Sequence, residues 1–169
     1  VASDVSAVGT ARAYLAACEY GEDKGIFGFG YDDSIHSITN KVSNVGVVAS
    51  DTTGVGTARY SIVACSFGGD KGIFGFGNTG SVTGVTNLVS NSGVVASDVS
   101  AVGTARHSPG ACEYGVDKGI FGFGDTGSYV GMSNLVSNSG VVASDVSAVG
   151  TARAYLAACE YGEDKGIFG

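Results

Sequence analysis

The chain has 169 residues, a formal net charge of −7, 29 glycines, one proline and no tryptophan. At 44% hydrophobic and 15% charged it is no charge-rich disordered tail, and its length suits one domain of ordinary size. The acidic balance leaves no basic stripe to neutralise phosphates, no apolar run reaches membrane-spanning length, and no signal peptide is visible.

Self-similarity organises the chain. The string VASD starts at Val1, Val48, Val95 and Val142, a constant step of 47 residues. This divides the chain into repeats 1–47, 48–94 and 95–141 and a partial repeat 142–169, whose 28 residues are identical to residues 1–28. Every repeat carries VASD, VGTAR, an Ala-Cys pair and DKGIFG. The chain opens at Val1 without a methionine and stops at Gly169 inside an apolar run, ends expected of a piece of a longer protein.

Taken in order, each repeat reads as short strands separated by turn residues. Residues 13–20 form an apolar run, and Gly21, Glu22 and Asp23 supply turn chemistry. Residues 24–29 set Ile26, Phe27 and Phe29 among glycines. After a second turn region, residues 35–43 form a polar, loosely alternating strand. Residues 46–50 are a short apolar strand, and residues 51–56 link to the next repeat. A helix over 13–17 is disfavoured, because the corresponding residues are β-branched around Ile62 and include Pro109 and Gly110 in the third repeat. The expectation is an all-β fold with four antiparallel strands per 47-residue repeat, the pattern of a β-propeller blade. Three full repeats and a part leave the ring incomplete within this chain.

Candidate chemistry is sparse. Cys18, Cys65, Cys112 and Cys159 recur one per repeat in the first strand. Equivalent positions on neighbouring blades face the same way, and zinc ligands normally cluster two to four residues apart, so buried free thiols are expected. Residues 75–80 and 122–127 fit G-x-G-x-x-G, but strand-like residues follow instead of the helix that a dinucleotide requires. Asp125-Thr126-Gly127-Ser128 resembles an aspartic-protease loop, yet the equivalent positions hold Tyr31 and Asn78, so the second carboxylate is missing. We therefore expect no catalytic residues, no metal and no cofactor.

The charges that recur are Arg12, Arg59, Arg106 and Arg153 with Asp4, Asp51, Asp98 and Asp145. A charge repeated in every blade suits structural ion pairing, since Arg offers five donors. A ring of arginines binding a ligand is the sharper alternative. The repeats differ around 13–16 and 31–39 and at the equivalent places. Loops on a fixed scaffold are where binding surfaces diversify, which makes Tyr31, His36, Tyr129 and Met132 the candidate ligand contacts.

The pattern T-A-R, an Ala-rich strand, a Gly-Asp turn and K-G-I-F-G-F-G resembles a kelch-type repeat, at Arg12, Ile26, Phe27 and residues 28–30, and again at Arg59, Ile73, Phe74 and residues 75–77. It departs from that family in having FGFG in place of a terminal double glycine, and no Trp in the last strand. The wording TAR…DKGIFGFG…TNLVSN is also similar to repeats in predicted structural proteins of marine bacteriophages. These resemblances imply a kelch-like propeller acting as a non-catalytic structural or recognition module. It would be a virion or fibre component, on a particle or extracellular, binding a protein or glycan through its loops. The rivals are a purely architectural repeat that builds a fibre or shell, and an enzyme with its site at a propeller mouth. Expected partners are further copies of the chain or the rest of a longer one, with no nucleic acid and no membrane.

Overall fold

The computed structural model describes residues 5–169, and among them it is all-β with no helix. Three repeats each form a three-stranded antiparallel sheet in sequential order. These are β1 (Ala16–Tyr20), β2 (Lys24–Tyr31) and β3 (Ile35–Val42); β4 (Val63–Phe67), β5 (Lys71–Gly75) and β6 (Thr86–Val89); and β7 (Gly110–Tyr114), β8 (Lys118–Gly122) and β9 (Ser133–Val136). The partial repeat forms a two-stranded sheet from β10 (Ala158–Tyr161) and β11 (Lys165–Phe168).

The first hairpin turns at Gly21 and Glu22, both in the left-handed region, with φ of 59° and 69°. Its register pairs Cys18 with Ile26 and Tyr20 with Lys24, and the same pairing recurs at Cys65–Ile73, Cys112–Ile120 and Cys159–Ile167. Two expectations need correcting. Residues 46–50 do not form a strand: they contribute only the single bridge of Val48 to Val42, followed by Thr52 to Thr39. The first strand starts at Ala16, not residue 13, and Ala13 makes one isolated bridge to Tyr31. In both places a left-handed residue interrupts the ladder, Tyr14 at φ 55° and Gly46 at φ 78°.

The FGFG segment carries the irregularity that builds the core. The β2–β3 register shifts between Gly28 and Gly30, and Phe29 between them has φ 64°. Phe76 and Phe123 repeat this at 60° and 64°. Two residues apart on a regular strand share a face, but the left-handed residue turns the two phenylalanines of each FGFG segment to opposite sides. Phe74 reaches back to the preceding sheet, its ring 5.2 Å from Phe29. Phe76 reaches forward, its ring 5.3 Å from Phe121.

The sheets therefore stack face on face, each apolar cluster lying between neighbours. One cluster joins Tyr20, Ile26 and Phe29 of the first sheet to Ile62, Phe74 and Val89 of the second. The next joins Val63, Cys65, Phe67, Ile73 and Phe76 to Phe121 and Val136. The first strands β1, β4, β7 and β10 pack side by side, each on the next.

Candidate recognition surface

The recurring arginines sit in the scaffold. Arg59 is fully buried and donates three bonds: Nε to the Phe76 carbonyl at 2.9 Å, one Nη to the Thr57 carbonyl at 3.0 Å, and the other to Asn87 Oδ1 at 2.6 Å. Asn87 passes the connection on, its amide donating to Asp98 at 2.9 Å. Asp98 in turn accepts from the Thr57 hydroxyl at 2.6 Å and from the Thr57 backbone at 3.1 Å. The same circuit links Arg12, Asn40, Asp51 and Thr10, and Arg106, Asn134, Asp145 and Thr104.

So Arg and Asp are joined through an asparagine. Direct approach within 4.0 Å is found, among the described residues, only for Arg12 and Asp51, at 3.9 Å. Asp51 lies 41 residues after Thr10 and bonds to it, so the VASD aspartate closes the sheet of the repeat before it. Gly9, Gly56 and Gly103 make this fit possible: each has φ of 76–79°, and a Cβ there would collide with the aspartate carboxylate. Arg153 keeps bonds to the carbonyls of Thr151 and Phe168, both at 3.2 Å. Asp4 lies outside the described residues.

Three of the four arginines also cover an aromatic ring of the preceding repeat. Arg59 lies 4.3 Å from the Phe29 ring centre, Arg106 4.1 Å from Phe76, and Arg153 4.1 Å from Phe123. Burial lowers the pKa of Arg59 and Arg106 to about 10, with Asp98 and Asp145 opposing it. Burial pushes Asp98 and Asp145 up, but the bonds from Thr57 and Asn87, and from Thr104 and Asn134, outweigh it and hold both below the usual carboxylate range. All three guanidinium nitrogens of Arg59 and of Arg106 are bonded within the scaffold, and among the described residues no buried side-chain polar atom lacks a partner.

The cysteines are free. Cys65 and Cys112 are buried and Cys18 is half-buried, but Cys159 is exposed, which corrects the expectation of four buried thiols. Each buried sulfur occupies space that a Cβ would need on a glycine of the next sheet: Cys18 against Gly72, Cys65 against Gly119 and Cys112 against Gly166. Burial pushes Cys18 up to about 12 and holds Cys65 well above the usual thiol range, so these thiols are inert packing groups.

An aromatic group is among the accessible side chains. At the edge where each chain segment enters its first strand, Tyr60 lies between two partners: its ring is 5.6 Å from Tyr31 and 6.2 Å from Tyr14. Tyr14 and Tyr31 are 61% and 39% exposed. Further along the same edge His107, the counterpart of Tyr60, stands 6.0 Å from the 65% exposed Tyr155. The backbone is held tightly here: Ser61 N–H donates to the Tyr14 carbonyl, Ser108 to Ser61 and Tyr155 to Ser108, at 2.8–3.1 Å.

Of the four candidate contacts, Tyr31 belongs to this aromatic ledge. His36 is bonded to Asp32 at 2.5 Å, and that bond holds Asp32 below its usual range. Tyr129 is exposed and bridges to Asp125. Met132 is half-buried, its carbonyl accepting from Phe123. Tyr14, Tyr60, His107 and Tyr155 were not singled out as contacts in the sequence, because residues at different repeat positions come together only across the stack. The signal was the variability of residues 13–16 and their equivalents.

Concavities also lie away from this ledge. Residues of the four first strands, among them Glu19, Ser66, Glu113 and Glu160, line a groove of about 230 Å³. Burial raises the Glu113 carboxyl there, helped by Glu160 and Glu19. A second, largely apolar hollow of about 650 Å³ lies between the second and third sheets at Phe67, Leu88 and Val94. Among the described residues, no group of three or more His, Cys, Asp or Glu side chains is arranged to hold a metal ion. No protein-family model matches this chain, and no curated protein matches it.

Proposed function

We propose that the chain is a non-catalytic recognition module, a kelch-like propeller segment that presents an aromatic ledge to a glycan or protein partner. The observation that carries this reading is the Tyr14–Tyr60–Tyr31 cluster, exposed on backbone fixed by bonds between repeats. Tyrosine rings offer flat apolar faces and a hydroxyl rim at low entropic cost, which suits sugar faces and aromatic or proline-rich peptide surfaces. The propeller assignment draws support from stacked antiparallel sheets whose first strands share one groove. A place on a phage particle rests on the repeat wording alone.

The architectural reading has its own support. The Arg–Asn–Asp–Thr circuit is the same in three repeats and engages all three guanidinium nitrogens in internal bonds.

A glycan array probed with labelled protein separates the two. The recognition reading expects binding that weakens by about tenfold in Tyr60→Ala, the loss of roughly 1.4 kcal/mol of contact. Absence of glycan binding, together with no peptide binding on a matched peptide array, overturns it in favour of architecture.

A further inference from the structure

The two ends of the stack present the two halves of a joint that already occurs inside it. At each internal joint a first-strand cysteine enters the space beside a glycine of the next sheet, as Cys65 does at Gly119 and Cys112 at Gly166. A phenylalanine of the next sheet covers a glycine of the sheet before: Phe74 lies over Gly28 and Phe121 over Gly75. The hairpin glycine N–H donates to an aspartate carbonyl of the next sheet, Gly68 to Asp117 at 2.8 Å and Gly115 to Asp164 at 2.7 Å.

At the far end, Cys159 is exposed, nothing lies within 4 Å of a Cβ placed on Gly169, and Gly162 has no such bond among the described residues. At the near end, Gly25 meets no cysteine sulfur among the described residues, and Phe27 is 40% exposed where its counterparts Phe74 and Phe121 are fully buried. Residues 142–169 repeat residues 1–28 without change, so the far face carries those side chains of residues 1–28 that the first repeat turns toward the second.

We infer that a second copy of this chain docks head to tail, with its first sheet on the two-stranded sheet of β10 and β11. Cys159 enters beside Gly25 of the second copy, and Phe27 of that copy covers Gly169. Gly162 donates to the Asp23 carbonyl. Phe29, Phe76 and Phe123 each lie beneath an arginine of the next sheet, but the far face offers Arg12 no such ring, so this joint is weaker than the internal ones. The two faces differ, so the contact is heterologous and propagates beyond a dimer. The inference is independent of what the aromatic ledge binds.

Substitutions at the two faces test it. A Cβ on Gly25 meets only Val42 and the Cys18 carbonyl at 3.6–3.9 Å, ordinary contact, so Gly25→Val leaves the protomer intact and blocks only the incoming sulfur. Cys159→Arg blocks the opposite face at an exposed position. In sedimentation velocity over a rising concentration series, the mass of the unsubstituted chain should climb past the dimer. Each variant alone should stay a monomer, and an equimolar mixture of the two should form a dimer and nothing larger, because each supplies the face the other lacks. Alkylation of Cys159 should slow as the unsubstituted chain associates. A monomer at every concentration, association that stops at the dimer, unchanged association in Cys159→Arg, or no dimer in the mixture overturns the inference. Should Gly25→Val fail to fold, Cys159→Arg and the alkylation rate still decide it.

Discussion

At the residue scale, the strongest commitment is a cation with nowhere else to go. Arg59 is fully buried, bonded to Phe76, Thr57 and Asn87, and stacked on Phe29. Removing it leaves Asn87 and two carbonyls without their donor. Arg59→Ala should therefore destabilise the fold by about 3–5 kcal/mol, read from urea unfolding. Arg12→Ala should cost less, since Arg12 covers no ring among the described residues. A smaller effect is available at Val116, a β-branched residue at φ 76° in a hairpin turn where the second repeat has Gly69 at 75°. Val116→Gly should stabilise by about 1 kcal/mol, the typical strain of a left-handed non-glycine residue. The carboxylates set the acid limit. Asp51, Asp98 and Asp145 all lie below their usual range, Asp51 through bonds from Asn40 and Thr10. A depressed folded value means that the stabilisation is complete above the ordinary aspartate range near pH 4 and is lost as pH falls through the folded values. Thermal melts should hold their midpoint from pH 7 to about 5 and drop steeply below about 4.

At the scale of the element, much was legible and the exceptions share one cause. The 47-residue step located every sheet, and the Gly21–Asp23 turn chemistry placed the hairpins where they occur. Composition alone could not reveal the bulge at Phe29, because FGFG reads equally as a regular strand. Nor could it show that residues 46–50 would be tied by Asn40 donating to Ala49 and Asp51 more than by a ladder. Asn40, Asn87 and Asn134 recur at the repeat step and were the visible sign of that circuit. The ledge was legible only as variability, since Tyr14, Tyr31 and Tyr60 come from two repeats and meet through stacking. The same logic explains the thiols. The sequence makes the four cysteines equivalent, but burial comes from the following sheet, and Cys159 has none within the chain. Thiol titration of dilute native protein should show one fast group, Cys159, with Cys18, Cys65 and Cys112 reacting only on unfolding.

At the scale of the whole molecule, each sheet is stabilised by its neighbours, as in repeat proteins generally. The second sheet has neighbours on both faces, and its β5 is buried almost throughout; β10 and β11 are mostly exposed. Stability should thus fall from the middle of the stack toward its ends. Native-state hydrogen exchange on the Gly25→Val variant, which removes association from the reading, tests this most directly. The slowest exchange is expected in β4, β5, β7 and β8, faster exchange in β1 and β2, and the fastest in β10 and β11. Equal protection of β10–β11 and β4–β5 would contradict it, because the partial repeat would then be holding itself together without a following sheet.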